Sequence, residues 1–265
     1  MIHSVIKSIA LTLEYLKFNF MSAMEYRGAF LLQAFGMALN DVALLFFWGV
    51  FYTQFPALRG WDLHAVLTLY AIVATNFGVG NILFGNGFEL ARIIATGGLD
   101  YYLALPVSPL THVLVSRMNL SAWGDLLFGV GLFAVLWGAS PAAWLLFAVG
   151  AALGAAVMIA FAVAFGSLAF YLGNAETLAA QSVGAFISFS TYPIDFFPLG
   201  VRVLLYTLIP AAFMSSIPAS LVRGFDWLSL LGYFAGSLAI LFSARWIFYR
   251  GLRRYESGNL LAARM

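Results

Sequence analysis

The chain has 265 residues, of which 63% are hydrophobic, 17% aromatic and 9% charged, with a net charge of +2 and a mean hydropathy of +0.95. Soluble domains carry roughly 25% charged residues, so the composition excludes a soluble globular domain and leaves no basic surface for nucleic acid. There is no cysteine, which excludes disulfides and thiolate chemistry.

With the bilayer as solvent, spanning segments are helices or a closed barrel. Apolar runs of about 20 residues point to helices, because barrel strands alternate over about ten. Residues 1–27 do not read as a signal peptide, because Lys7, Glu14, Lys17, Glu25 and Arg27 interrupt any apolar core. Ile2, Val5, Ile6, Ile9, Leu13, Leu16, Phe20 and Met24 recur at helical spacing, which predicts an amphipathic helix lying in the membrane interface. A single transmembrane domain then occupies 28–265, with expected spans at about 28–51, 63–84, 110–137, 142–172, 175–192 and 225–249. The segment 193–224 is apolar but broken by Pro193, Pro198, Pro210 and Pro218, and reads as re-entrant.

The stretch 85–109 is too polar and too glycine-broken to cross. Phe88, Ala91, Ile94 and Ala95 fall at three- and four-residue steps, with Glu89 and Arg92 paired i, i+3 on another face. Gly97-Gly98 ends this short helix, and Pro106 and Pro109 fix an extended passage into the next span. With six spans, the side carrying both termini and 85–109 holds ten Lys and Arg, while the other holds Arg59, Arg202 and Arg223. The positive-inside rule places the richer side in the cytoplasm.

No phosphate-binding loop, zinc-protease motif or nucleophile elbow occurs, and His3, His64 and His112 stand apart. The chain therefore encodes no energy source of its own. Two acids fall inside expected spans. Asp41 lies beside Asn40, and Asp125 lies in a run Arg117, Ser121, Asp125 at i, i+4, i+8. Such groups face a cavity or a helix partner. They read either as a polar strip along a path or as interhelical polar packing, with Asp41 paired to Arg117 or an amide.

The run Gly98-Leu-Asp-Tyr-Tyr-Leu-Ala-Leu-Pro-Val-Ser-Pro109, with Ser116-Arg117 and Gly124-Asp125, resembles the type 2 ABC transporter permeases, in a little-characterised export branch. Tyr192-Pro-Ile-Asp-Phe-Phe-Pro198 and Ile209-Pro-Ala-Ala-Phe213 resemble the same branch. The resemblance implies an all-α fold of six spans in a bacterial inner membrane with both termini cytoplasmic, an entry helix, a coupling helix between spans 2 and 3, and an external hairpin before span 6. It implies a second permease chain and two separate ATPase subunits that bind ATP and magnesium; the chain itself binds no cofactor and no metal. The ATPase contact would fall on Phe88, Glu89, Arg92, Ile93, Asp100 and Tyr101. The translocation path would run along Gln33, Asn40 and Asp41 of span 1 and Gln181, Phe186 and Phe189 of span 5, for a small amphipathic substrate. An ion-coupled secondary transporter is the alternative, but it requires paired broken helices and the sequence displays one broken region. A membrane-embedded enzyme lacks a catalytic constellation.

Overall fold

The structure, a computed structural model, describes residues 2–255, with side chains from residue 10 onward. The end of the basic tail, including Arg264, lies outside the described residues, as do the side chains of Ile2, Val5, Ile6, Lys7 and Ile9.

The described chain is almost entirely helical. Helix α1 (Ile2–Glu25) gives way at Tyr26 to α2 (Arg27–Gln54). A two-residue antiparallel pair, β1 (Ala57–Leu58) and β2 (Trp61–Asp62), turns the chain through Arg59 and Gly60, both at positive φ. Asp62 caps α3 (Leu63–Phe84), accepting from the Ala65 N–H at 2.8 Å. A 3-10 turn (Gly85–Glu89), α4 (Leu90–Ala95) and α5 (Leu99–Leu103) lead to α6 (Pro109–Val115) and α7 (Ala122–Trp137). Next come α8 (Pro141–Gly166), α9 (Ala169–Leu172) and α10 (Glu176–Ser190). The proline-rich segment forms α11 (Leu199–Tyr206), α12 (Ala211–Met214) and α13 (Ser216–Arg223) before the last helix, α14 (Trp227–Leu252). Asp226 caps α14 by accepting from the Ser229 N–H at 2.7 Å, and that bond holds its carboxyl below the usual carboxylate range.

Four helical runs among the described residues are long and apolar enough to cross a bilayer: Arg27–Gln54, Leu63–Ala95, Pro141–Leu172 and Trp227–Leu252. The third and fifth expected spans appear as the shorter helices α7, of 16 residues, and α10, of 15.

Two boundaries differ from expectation. The second span does not stop at Phe84, because the 3-10 turn carries it into α4 as one run of 33 residues. At 1.5 Å per residue that run is about 50 Å long, well over the roughly 30 Å of a hydrocarbon core. The third span is not one helix over 110–137, because residues 116–121 are non-helical. There Ser116 Oγ donates to the Val113 carbonyl at 2.8 Å and Ser121 Oγ to Asn119 Oδ1 at 2.9 Å. Short polar side chains that bond locally compete with helix continuation in this way.

Helices α3 and α8 form the centre, and both are buried on most of their circumference. Val66, Leu69, Ile72, Val157 and Met158 are fully buried there. Around them pack α7, α10, α12, α13 and α14. Helices α2 and α14 bury only a narrow strip and expose the rest, including Leu32, Phe35, Phe46, Leu228 and Phe242. Close approach of α7 to α2 depends on Gly124, where a Cβ would strike the Ala34 carbonyl oxygen and the Ala38 nitrogen. Asn76 on α3 reaches across to donate to the Met214 carbonyl at 2.7 Å, fastening the proline-rich segment to the centre.

Gly124→Ala is expected to destabilise the protein by about 1–3 kcal/mol through overpacking against backbone. Gly131→Ala on the same helix, where nothing lies within 4 Å, should be neutral or mildly stabilising. Thermal unfolding of the two variants in detergent checks the contrast.

Candidate functional site

The polar end of the molecule is built on Asn86, buried inside the 3-10 turn. Its Nδ2 lies 2.8 Å from Ser116 Oγ, 3.0 Å from the Val113 carbonyl and 3.2 Å from the Tyr102 hydroxyl. One amide thereby ties the end of α3 to α5 and α6. Beside it His112 is fully buried, its Nε2 2.8 Å from the hydroxyl of Tyr15 on α1. The His112 ring packs edge-on to Tyr102 with centroids 4.9 Å apart and tilted to Tyr101 at 5.7 Å. The 85–109 stretch is thus a clamped structure. At its far end, burial and the neighbouring Asp100 carboxylate push the Tyr255 hydroxyl up to about 12.

The clamp sorts the expected contact residues. Glu89 and Arg92 form a solvent-facing ion pair at 2.7 Å, and Tyr101 is 64% exposed beside them. Phe88 turns toward a groove under α1, and Asp100 is half-buried near Tyr255. Ile93 does not point outward. It is buried with Leu90, Ala91 and Ile94, as α4 packs on α8 and α9. A six-residue helix pressed against two others buries a wider arc than an isolated amphipathic stripe would. Ala95, expected on the apolar stripe, is exposed. Arg92, Arg117, Tyr15 and Tyr101 wall a surface cleft of about 510 Å³ with Ile93 as part of its lining.

A second, larger cavity of about 660 Å³ adjoins it, between α1, α2, the 3-10 turn, the 116–121 break and α10. Asn19, Gln33, Asn81, Glu89, Arg117 and Ile187 are among its walls. Among the expected path residues, Gln33 lines this groove. Asn40 and Gln181 are exposed on the open faces of α2 and α10, away from it. Phe186 is fully buried and stacks on Phe161 at 4.8 Å, and Phe189 is half-buried edge-on to Phe197 at 5.6 Å. Asp41 is buried and accepts from the Tyr70 hydroxyl at 2.7 Å. Its partner is therefore neither Arg117 nor an amide.

Arg117, Ser121 and Asp125 share no helix face, because the 116–121 break separates them. Arg117 faces the groove and Asp125 is buried in α7. Tyr70, which bonds Asp41, also packs edge-on to Phe128, one turn beyond Asp125, with centroids 5.9 Å apart. Sequence reasoning passed over Tyr70, Tyr15 and Asn86, and read His112 as standing apart. Two signals were present: Asn86 sits between two glycines, and Tyr101-Tyr102 is an aromatic pair in a polar loop.

The family model for "ABC-2 family transporter protein" matches residues 38–258. That span takes in α3 through α14 and most of α2. A comparison with curated proteins finds no match.

Asn86→Leu removes a buried donor from three acceptors, and is expected to destabilise the protein by about 1–3 kcal/mol. Limited proteolysis should then cut within 97–108 faster than in the parent chain, and an unchanged cleavage rate would contradict the clamp.

Proposed function

The chain belongs to the ABC-2 family of transporter proteins, and on that premise we propose that it is the permease subunit of an ATP-binding cassette exporter whose 85–109 stretch is the site at which a separate ATPase docks. Members of this family are membrane transport subunits that generally have no ATPase site of their own. The missing phosphate-binding loop fits that division of labour.

The observation that carries the reading is the clamped polar end itself. A site that transmits force from a partner must be stiff, and the Asn86 and His112 contacts make it so. It must also offer specific surface, and Glu89, Arg92 and Tyr101 stand exposed on it. Tyr and Arg are the residue types that dominate interface energies. Ile93 supports this surface from beneath. Two ATPase subunits would serve two permease chains, each with one such docking end, and ATP and magnesium would reside on the ATPases.

The chain crosses the membrane six times in this reading, with α7 and α10 as the two short crossings and the segment 193–224 as an external re-entrant hairpin. Both termini and the docking end then lie in the cytoplasm of a cell with an inner membrane, in keeping with the ten-to-three distribution of basic residues. The groove lined by Gln33 and Arg117 opens beside the docking end and serves as the inner mouth of the path, completed by a second permease chain set against the exposed faces of α2 and α10. Its mixed polar and apolar walls suit a small amphipathic substrate. Asp41 belongs to packing in this reading, through its bond from Tyr70. The ion-coupled alternative is not favoured, because the family works with ATPase partners.

Tyr101→Ala combined with Arg92→Glu is expected to weaken association with the ATPase by about tenfold or more. Both side chains are exposed, so the fold should survive, with unfolding shifted by about 1–2 kcal/mol through loss of the Tyr101–His112 ring contact and the Arg92–Glu89 pair. Association is measured with the purified subunits in nanodiscs. Unchanged affinity in the double variant would remove the docking assignment.

A further inference from the structure

The last helix carries a feature that the docking end and the groove do not use. An apolar trough of about 360 Å³ runs between α14 and the α3, α6 and α8 surface, lined by Leu110, Leu114, Ala156, Ile159, Leu238 and Leu241. It adjoins a second hollow of about 330 Å³ formed by α14 alone, walled by Arg245, Trp246, Tyr249, Arg250 and Arg253. Phe242 and Arg245 line both, so the two are neighbours along α14. Apart from Arg245 the trough is lined by hydrocarbon side chains, whereas the second hollow is cationic and aromatic.

The cationic end is ordered. The Arg245 guanidinium lies 4.6 Å from the Tyr249 ring centroid, and that of Arg250 lies 5.1 Å from Trp246. The Tyr249 hydroxyl is 2.9 Å from Ser108 Oγ, the side chain that caps α6. Among the described residues, neither ion pair involves Arg245, Arg250 or Arg253. Three arginines therefore converge on one hollow, two of them over an aromatic ring, and among the described residues no carboxylate pairs with them. Guanidinium groups bind phosphate oxygens bidentately, and tryptophan and tyrosine sit at the level of lipid head groups.

We infer that this paired hollow is a binding site for one anionic phospholipid, its phosphate held by Arg245, Arg250 and Arg253 and an acyl chain laid in the trough. A free anion would gain nothing from the apolar half. A neutral lipid would leave the arginines unmatched. Basic pockets against membrane helices near the cytoplasmic face recognise acidic head groups by this combination. Through Tyr249 and Ser108 the bound lipid would also steady the entry to α6, and hence the docking end. The binding inference stands on its own geometry whether or not the ATPase docks there.

The test uses the full chain, purified and delipidated in a neutral detergent, with native mass spectrometry of added phosphatidylglycerol or phosphatidylcholine. Phosphatidylglycerol should be retained at least about tenfold better. R245Q/R253Q should lower its affinity about 25-fold, at about fivefold per arginine. R223Q/R254Q removes the same charge elsewhere, since Arg223 lies over Trp61 and Arg254 over Tyr171, and should change the affinity less than about twofold. Ala156→Trp, which fills the trough, should lower retention of the lipid, and glycerol phosphate should not displace it. If R245Q/R253Q is not monodisperse, R250Q carries the same comparison at about fivefold. Equal retention of the two lipids, equal loss in both double variants, or displacement by glycerol phosphate would overturn the inference. So would a lipid-free dimer broken by Trp246→Arg, which would assign this face to a second copy.

Discussion

A bilayer interior has no water to satisfy polar groups, so a polar group placed there gains from a partner within the protein. That constraint organises this chain. Asn76 on α3 reaches the Met214 carbonyl, Tyr70 donates to Asp41 on α2, and Ser190 Oγ returns to the Phe186 carbonyl. Each contact joins or closes elements that apolar packing alone would leave free to slide, because leucine has no reason to prefer a helix over lipid. Small residues do the complementary work. Gly124 allows α7 to touch the α2 backbone, and the two polar contacts of α3 then set where along its length α2 and the proline-rich segment stand.

The same economy explains the polar end. The run Leu63–Ala95 is longer than the hydrocarbon core of a bilayer is thick, and its last turns continue a helix rooted in the core of the protein. Asn86 and His112 then lock the loop that follows against that root. On the docking reading, movement imposed on Glu89, Arg92 or Tyr101 would be passed through these contacts to α3 and α6. The polar groove with Gln33 and Arg117 lies directly beside this lever, which is where a conformational change would be felt first.

Features set by local spacing were legible in the sequence. The apolar runs of α2, α3, α8 and α14, the stop at Gly97 with its φ of +76° and the Glu89–Arg92 pair all follow from neighbours within a turn or two. Features set by distant partners were not. Tyr15 meets His112 across 97 positions and Asn76 meets Met214 across 138, and nothing in periodicity announces either. The inward turn of Ile93 depends on α8 and α9 arriving above it. The break at 116–121 was hidden because Arg117, Ser121 and Asp125 fit a helical face, while the local bonds of Ser116 and Ser121 ended it. Asp41 and Phe186 look available in the sequence and are consumed by packing in the fold.

The central claim is that the Asn86-clamped end receives the ATPase. A photo-crosslinking residue placed at position 101 in intact membranes, with a second at position 57 at the β1–β2 turn as the opposite-end control, tests it most directly. The account predicts covalent capture of an ATP-binding cassette subunit from position 101 and none from position 57. Capture from position 57, or no capture of an ATPase from position 101, would contradict it.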